Sequence, residues 1–296
     1  MRGRVLRVSG IQALVEAGTD QLVCELRGRL KWTSGGGSSV VAGDWVDLEK
    51  TADGKAVIGT VLERNTHLAR ASSGSRPQRQ VLIANADQCV IVVAPCEPAL
   101  RQGFIDRAVV MAVQGGAEPV LCVNKIDLDP QRDWKPVASV YADLDYPVFE
   151  VSAKSGEGIH NLFAQLRHKT SAFVGQSGVG KSTILNRLDP VLQLRTAALM
   201  RKHDRGRHTT SAVSLMQLGD TAYVADTPGV KQLQPWGIDR QSLADYFVEM
   251  EPLAKACRFR DCTHLSEPGC AIREAVTAGA IHSSRYEGFR RLGEGL

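Results

Sequence analysis

The segment Gly175–Ser182 reads GQSGVGKS and matches the pattern GxxxxGK[ST]. The apolar run TSAFV at 170–174 can form a strand before it, and KSTILNRL at 181–188 has the apolar spacing of a helix after it. Glycines in such a unit let backbone N–H groups face phosphate oxygens, and the helix N-terminus adds positive potential. We interpret the segment as a phosphate loop rather than an ordinary glycine turn, with Lys181 reaching the β- and γ-phosphates and Ser182 holding Mg²⁺. The predicted contacts are Gly175, Gln176, Ser177, Gly178, Val179, Gly180, Lys181, Ser182 and Thr183.

A second motif, Asn124-Lys125-Ile126-Asp127, reads NKxD and follows the apolar run PVLCV at 119–123. It therefore lies at the carboxyl end of a predicted strand, where open α/β sheets bind ligands. The Asp127 carboxylate can accept two hydrogen bonds from the N1–H and N2–H₂ edge of guanine, a donor pair that adenine lacks. We predict that Asp127 selects guanine, that Asn124 ties neighbouring loops together, and that the Lys125 stem lies along the base. Taken alone, NKID could also be a polar turn after a strand.

Two shorter motifs accompany these. Ser152-Ala153-Lys154 reads SAK after the run PVFEV at 147–151, and we expect a backbone N–H of this loop to meet guanine O6. Asp226-Thr227-Pro228-Gly229 reads DxxG after TAYVA at 221–225. Asp226 is predicted to bind Mg²⁺ through water, and the Gly229 N–H to contact the γ-phosphate. The next residue, Val230, stands where Ras-like switches carry a glutamine that orients the attacking water, so another group must do this.

The order of the motifs differs from the Ras-like order. NKxD and SAK precede the phosphate loop here, whereas the phosphate loop comes first in Ras-like chains. The predicted α/β domain is therefore circularly permuted, which is sterically easy because domain termini are often close together. One consequence is that the DxxG loop leads out of the domain, so the region that follows is tethered just past it.

Composition restricts the class further. The chain has 296 residues, 43% hydrophobic and 23% charged, as expected for a globular protein of two or three domains. It has no apolar stretch near the ~20 residues of a membrane span and no signal-peptide core, so we expect a cytoplasmic protein without a membrane partner. Net charge is only +4, but basic residues cluster, which favours an RNA partner over merely solvated faces. The clusters are Arg2, Arg4 and Arg7; Arg27, Arg29 and Lys31; Arg64, Arg70, Arg76 and Arg79; and Arg201, Lys202, Arg205 and Arg207.

Five short alternating runs before residue 64 predict a small β-barrel, for which the OB-fold is the natural candidate and an SH3-like barrel the alternative. Trp32 and Trp45 are the only tryptophans of this region, so contact with an RNA backbone is favoured over base stacking. We predict a barrel over 1–64, a linker over 65–79, the permuted domain over 80–235 and a mainly helical region over 236–296.

Seven cysteines divide into two groups. Cys257, Cys262, His264 and Cys270 fall within fourteen residues, and a Cys₃His set is typical of a closed structural zinc site. A disulfide pair with bystanders is the alternative, and it is rare in a cytosolic chain. The polar segment between these residues could not order itself without a metal, which favours one structural Zn²⁺. The remaining cysteines lie in or beside apolar runs as small buried hydrophobes: Cys24, Cys89, Cys96 and Cys122.

Together, NKID, SAK, GQSGVGKST, DTPG and the Cys₃His cluster, in this order, make the whole chain resemble the ribosome small-subunit-dependent GTPase A family. The resemblance implies a multidomain α/β protein with an N-terminal OB-like β-barrel, a circularly permuted P-loop GTPase domain and a C-terminal zinc-binding domain. It also implies GTP or GDP and Mg²⁺ as cofactors, and the small ribosomal subunit and its rRNA as partners. GTP hydrolysis would be stimulated by the subunit and coupled to release during late maturation. We expect a monomer off the ribosome.

The resemblance assigns Gly206–Thr210 to the first switch, where one of Thr209 and Thr210 would ligate Mg²⁺ and the γ-phosphate. His208 is the candidate for orienting the attacking water, although a solvated loop histidine fits the same pattern. Two other classes remain open. One is an RNA-binding scaffold with an inactive nucleotide site, which the intact Lys181, Ser182 and Asp226 disfavour. The other is a GTPase of metallocentre assembly, which the closed four-ligand set disfavours.

Overall fold

The computed structural model describes residues 1–30, 39–51, 55–72, 77–188, 213–227 and 233–296. The strands are β1 (Arg2–Ser9), β2 (Gln12–Ala17), β3 (Asp20–Leu26), β4 (Trp45–Lys50), β5 (Ala56–Val61), β6 (His67–Ala71), β7 (Arg79–Ala84), β8 (Gln88–Val93), β9 (Glu118–Val123), β10 (Val148–Glu150), β11 (Thr170–Gly175), β12 (Ser214–Leu218) and β13 (Ala222–Asp226). The helices are α1 (Gln102–Gln114), α2 (Lys135–Ala142), α3 (Ile159–Leu166), α4 (Lys181–Leu188), α5 (Glu251–Ala254), α6 (Ala271–Thr277) and α7 (Ser283–Glu294). Short 3₁₀ turns cover Gly28–Leu30, Ile126–Leu128 and Leu243–Tyr246.

The first five strands form a closed barrel, with the order β1-β2-β3-β5-β4 and a return pairing of β4 with β1. Alternation drives this arrangement, since every second residue of β2 (Ala13, Val15 and Ala17) faces a buried core while the residues between them face outward. Closure leaves no unpaired edge. The predicted N-terminal OB-like barrel is therefore confirmed.

Strands β10, β9, β8, β11 and β13 run parallel in that order, and β12 pairs antiparallel with β13. Every residue of β8 and of β11 is buried, because helices cover both faces of a parallel sheet. One face packs against α1 and α2, and the other against α3 and α4. Since the strands point the same way, the loops after β9, β10, β11 and β13 meet at one edge of the sheet.

The segment 65–79, predicted as a linker, contains strand β6. β6 pairs with β7 in a separate two-stranded sheet, and Leu68 and Ile83 are fully buried in the core that includes α1. The serine-rich run after β6 hid this hairpin in the sequence. β6 also contacts the chain beyond the DxxG motif, because Ala71 N–H donates to the Gln234 carbonyl at 2.9 Å.

The barrel joins the parallel sheet through β1, where Arg7 pairs with Ser214 of β12. Arg4 is 7% exposed, and its Nη2 donates to Thr170 Oγ1 at 2.7 Å. The Arg4 guanidinium also lies 4.6 Å from the ring centre of Tyr223. Arg4 is thus a contact between barrel and sheet, so this member of the basic clusters is not free to meet RNA.

Helices α5, α6 and α7 follow the parallel sheet and surround a core of their own, which includes Phe247, Ile272 and Phe289. Val110 of α1 belongs to the same core, so the C-terminal helices pack directly on the sheet domain. Arg285 of α7 fixes this contact through ion pairs with Asp106 of α1 and with Glu249. The mainly helical C-terminal region predicted from the sequence is present.

Candidate nucleotide site and metal centre

The loop between β11 and α4 has the backbone that a phosphate loop requires. Gly178 and Gly180 have φ values of +88° and +91°, in the left-handed region that favours glycine. A Cβ on Gly180 would lie 2.3 Å from Asn124 Nδ2, so this position also needs the smallest residue. Lys181 Nζ donates to the carbonyls of Gly175 at 2.9 Å and Gln176 at 3.3 Å. These contacts hold the ammonium group inside the loop, where it can meet phosphate oxygens.

Asp226, at the end of β13, faces the start of α4. Ser182 Oγ donates to Asp226 Oδ2 at 3.0 Å, while Oδ1 is buried without a partner in the described residues. Burial raises the pKa of Asp226, and the Ser182 hydrogen bond and the Lys181 charge oppose this rise. A serine hydroxyl beside a carboxylate oxygen that lacks a donor suits a hard divalent cation, which binds oxygen ligands. The two side chains predicted to hold Mg²⁺ therefore fit that ion.

Asn124, after β9, connects the loops predicted to surround guanine. Its Nδ2 donates to the Val179 carbonyl at 2.9 Å, and its Oδ1 accepts from the Ala153 N–H at 3.0 Å. Asn124 thus links the phosphate loop with the SAK loop. Ser152 Oγ donates to Asp127 Oδ1 at 2.6 Å, which holds the exposed carboxylate in place. The motifs NKxD and SAK and the phosphate loop thus share one hydrogen-bonded network.

The loop after β8 is part of this region, although no motif marks it. Lys125 has a left-handed backbone with φ of +63°, and its Nζ donates to the Glu97 carbonyl at 2.6 Å. A Cβ on Gly178 would lie 3.7 Å from Pro98 Cδ, so the same loop lies against the phosphate loop. Thr227 is a second residue of this region whose role the sequence did not reveal. Its Oγ1 donates to the Phe173 carbonyl at 2.7 Å, which anchors the DxxG segment on β11.

The remaining predicted contacts differ in exposure. Asp127, Lys154, Ser177, Ser182 and Thr183 are exposed to solvent, as ligand-facing groups can be. Val179, Ala153 and Ile126 are at most 7% exposed, so only their backbone atoms could meet a nucleotide. Four further predicted residues lie outside the described part of the chain: His208, Thr209, Thr210 and Gly229.

The four predicted zinc ligands come together between α5 and α6. All their ligand atoms lie within 4.8 Å of one another. His264 Nδ1 is 3.4 Å from Cys257 Sγ and 3.5 Å from Cys270 Sγ, and those two sulfurs are 3.9 Å apart. Ligands of a tetrahedral zinc ion at about 2.0–2.3 Å stand about 3.5–3.8 Å from one another. The seven cysteines, all in described segments, are free thiols, so the cluster is compatible with a zinc site and holds no disulfide.

A carboxylate shapes the loop that carries His264. Glu267 accepts hydrogen bonds from the Thr263 hydroxyl at 2.6 Å and from the N–H groups of Thr263, Leu265 and Ser266 at 2.9–3.1 Å. These hydrogen bonds, above all the one from the Thr263 hydroxyl, lower the pKa of Glu267 to about 2. His264 has a left-handed φ of +62°, and its carbonyl accepts from the Tyr286 hydroxyl at 2.7 Å. Helix α7 therefore supports the metal loop as well as the sheet.

A phosphate loop, a guanine-selecting motif and a DxxG carboxylate around one sheet edge, in permuted order, define a circularly permuted P-loop GTPase. Comparison with known proteins agrees: the model of the RsgA GTPase family matches residues 61–236. The chain belongs to this family, and it is a GTP hydrolase that uses guanine nucleotides and Mg²⁺.

Curated relatives and solved structures extend this similarity over the whole chain. The small ribosomal subunit biogenesis GTPase RsgA of Gemmatimonas aurantiaca is 38% identical, over 98% of this chain and 96% of its own length. That of Chlorobaculum tepidum is 36% identical, over 100% and 98%. The crystal structure of YjeQ from Thermotoga maritima superimposes with a TM-score of 0.78, at 32% identity, over 100% of this chain and 98% of that one. YloQ, described as a circularly permuted GTPase, gives a TM-score of 0.74, at 25% identity, over 99% and 94%.

No helix within the described ranges combines the length and apolar character that a bilayer crossing requires.

Proposed function

We propose that this protein is a GTPase of small ribosomal subunit biogenesis, which binds the immature subunit and hydrolyses GTP in connection with its own release. The observation that carries the proposal is that the described guanine-nucleotide motifs meet at one sheet edge, between a barrel and a helical region whose Cys₃His cluster could hold a metal. Relatives named as small ribosomal subunit biogenesis GTPases match this chain over nearly its whole length. The proposal places the protein in the cytoplasm, as a monomer when it is not on a subunit. The rRNA of that subunit is the proposed partner of its basic surfaces.

Each site residue has a role in this proposal. Asp127 accepts hydrogen bonds from the N1–H and N2–H₂ edge of guanine, and Ser152 holds the Asp127 carboxylate in place. The hydrogen bond from the Ala153 N–H to Asn124 keeps the loops around the base together. Lys181 leaves its two loop carbonyls to meet the β- and γ-phosphates. Ser182 and Asp226 hold Mg²⁺, which neutralises charge on the phosphates when bound. Thr209 or Thr210 and Gly229 complete the γ-phosphate contacts, and His208 orients the attacking water.

The Cys₃His cluster is proposed to hold one structural Zn²⁺ through Cys257, Cys262, His264 and Cys270. Burial lowers the pKa of His264, which favours the neutral imidazole, the form that binds a metal. A structural role fits the site, because Cys262 and Cys270 lie in the C-terminal core with Phe289. A zinc ion held there would stabilise the core that packs on α1.

The barrel and the C-terminal helices offer surfaces for the subunit, although two barrel side chains, Trp45 and Arg64, already contact other side chains of the protein. The Trp45 ring has the guanidinium groups of Arg2 and Arg4 at 5.0 and 5.4 Å from its centre, which disfavours stacking on an RNA base. Arg64 is held by Asp44, with 2.7 Å between Arg64 Nε and Asp44 Oδ1. Exposed cations elsewhere, such as Arg258 and Arg260 in the metal loop, remain available for phosphate contacts.

Purified small ribosomal subunits are expected to raise the rate of GTP hydrolysis by at least about a hundredfold, since Val230 cannot orient water in the free protein. His208→Ala is expected to lose most of this stimulation while still co-sedimenting with subunits. The measurement is phosphate release with and without subunits, beside a co-sedimentation assay. His160→Ala, a histidine on α3, serves as the matched control. Equal rates with and without subunits would contradict the proposed function. A fully stimulated His208→Ala would contradict only the role of that histidine.

Asp127→Asn is expected to weaken GTP binding and to favour xanthosine nucleotides. Xanthine has a carbonyl where guanine has its 2-amino group, and the Asn amide can donate to that carbonyl. Hydrogen bonds to a charged group are worth about 1.5–3 kcal/mol each, so GTP affinity should fall at least about tenfold. Competition between GTP and XTP for the purified variant measures this change. Asp133→Asn, the same change at an exposed carboxylate six residues further along the chain, is the control. A variant that binds GTP as tightly as the wild type would show that Asp127 does not contact the base.

A further inference from the structure

A cavity of about 650 Å³ lies beside the phosphate loop and outside the site described above. Its walls come from the first turn of α1, from Leu233 and Gln234, and from the end of α7 with the residues that follow it. Gln176 of the phosphate loop also lines it. The volume is within the range of about 300–1,000 Å³ that is typical of ligand sites. We refer to it as the arginine cavity, after Arg101, Arg107 and Arg291 in its lining.

The lining carries three positive charges, and none of the lining side chains is acidic. Two of the guanidinium groups are partly fixed, because Arg107 Nη1 donates to the Gly103 carbonyl at 2.9 Å and Arg291 Nε to Glu287 at 2.9 Å. Arg101 is exposed and makes no ion pair with any described residue. Arginine forks match the geometry and charge of phosphate oxygens, so a phosphate-type anion is the ligand class that this lining recognises.

The position of the arginine cavity beside the phosphate loop indicates where such an anion would come from. The Gln176 carbonyl accepts a hydrogen bond from Lys181, the residue that would hold the β- and γ-phosphates. Gln176 also lines the cavity, so the phosphate loop lies between the predicted phosphate-binding position and the arginines. Inorganic phosphate formed by hydrolysis is therefore released next to this cavity.

We propose that the arginine cavity is a product site, which binds inorganic phosphate after it has left the γ-position. The proposal takes from the proposed function only the hydrolysis of GTP, in which water splits the γ-phosphoryl group from GDP. No bond forms or breaks in the transfer to the cavity. Because Arg101 precedes α1 and Arg291 lies on α7, a phosphate held by both would connect the sheet domain with the C-terminal helices. Phosphate occupancy thus favours the docked arrangement of the C-terminal helices until the anion departs.

The test is calorimetric titration of the full-length protein with inorganic phosphate. The protein is loaded first with Mg²⁺ and GDP, and then with Mg²⁺ and a non-hydrolysable GTP analogue that fills the γ-position. Phosphate is expected to bind in both states, because the cavity is separate from the nucleotide site. The double variant Arg101→Gln and Arg291→Gln should bind phosphate about tenfold more weakly. Arg290→Gln is the matched control, since Arg290 lies on the same helix outside the cavity and pairs with Glu287.

Each outcome decides the proposal. Unchanged GDP affinity in the double variant, with weakened phosphate binding, supports a separate product site. Phosphate binding that the GTP analogue abolishes would place the anion in the γ-position and overturn the proposal. So would equal phosphate affinity in the double variant and the wild type, or binding of a short RNA without binding of inorganic phosphate. A wild-type protein that fails to bind GDP would instead count against the proposed function.

Discussion

Cys262→Ser is expected to abolish zinc retention and to open the region from residue 236 onward, while guanine-nucleotide binding survives. Cys262 is 6% exposed and lies in the same core as Phe247 and Phe289, so losing the metal removes an anchor from that core. Structural zinc contributes about 10–16 kcal/mol of apparent binding energy in zinc-finger peptides, so loss of one thiolate ligand should be a large effect. Metal analysis of the purified protein and hydrogen exchange over residues 236–296 measure it.

The control for the metal experiment is Cys24→Ser, the same substitution at a buried free thiol of the barrel core, outside the cluster and away from the nucleotide site. It should keep one zinc per chain and wild-type hydrogen exchange. GDP affinity should change little in either variant, because the parallel sheet and the phosphate loop have a separate core. Wild-type protein that is purified in active form with far less than one zinc per chain would contradict the assignment of the cluster.

Arg285→Met is expected to destabilise the protein by about 3–5 kcal/mol, because it leaves carboxylates buried without their counter-charge. Asp106 and Arg285 are both fully buried, and Arg285 Nε also donates to Glu249 at 2.7 Å. The Tyr141 hydroxyl donates to Asp106 Oδ1 at 2.7 Å, so α1, α2 and α7 meet at one ion cluster. Equilibrium denaturation, with hydrogen exchange of α1 and α7, measures the loss.

Two comparisons separate this effect from a general loss of charge. Arg290→Met removes an exposed arginine of the same helix and should cost little, as exposed ion pairs contribute at most about 1 kcal/mol. The pH dependence has a definite sign. Burial already raises the pKa of Asp106, and Arg285 lowers it, so the variant raises it further. A group whose pKa is raised in the folded state makes folding less stable as pH rises, because its charged form is disfavoured in the folded protein. In acid Asp106 becomes protonated, so the loss of folding free energy in Arg285→Met should be smaller there. Equal stability of Arg285→Met and Arg290→Met would show that the cluster does not hold the helices in place.

Much of the nucleotide site could be predicted because its chemistry is local. Gly178 and Gly180 need left-handed backbone, and Lys181 and Ser182 follow within one turn, so eight consecutive residues specify the phosphate loop. NKxD and DxxG each follow an apolar run, and parallel strands bring their carboxyl ends to one edge. Motif order alone therefore predicted the permutation, and alternation within β1 to β5 predicted the barrel. The four metal ligands were also close in sequence, which made their meeting predictable.

No motif or periodicity in the sequence marks the contacts that join these parts. Arg4 lies in a cluster that reads as a basic surface, yet it is buried against Thr170, 166 positions further along the chain. Arg285 looks like one more charge on an exposed helix, yet it pairs with Asp106 across 179 positions. The hairpin of β6 and β7 was missed for a local reason, because the serine-rich run between its strands is typical of a linker. Periodicity and spacing report on neighbours within a few turns, whereas burial of a charge depends on which distant surface closes over it. The sequence by itself determined which ligand groups this protein presents, and only the tertiary structure decided which of its charges hold the three parts together.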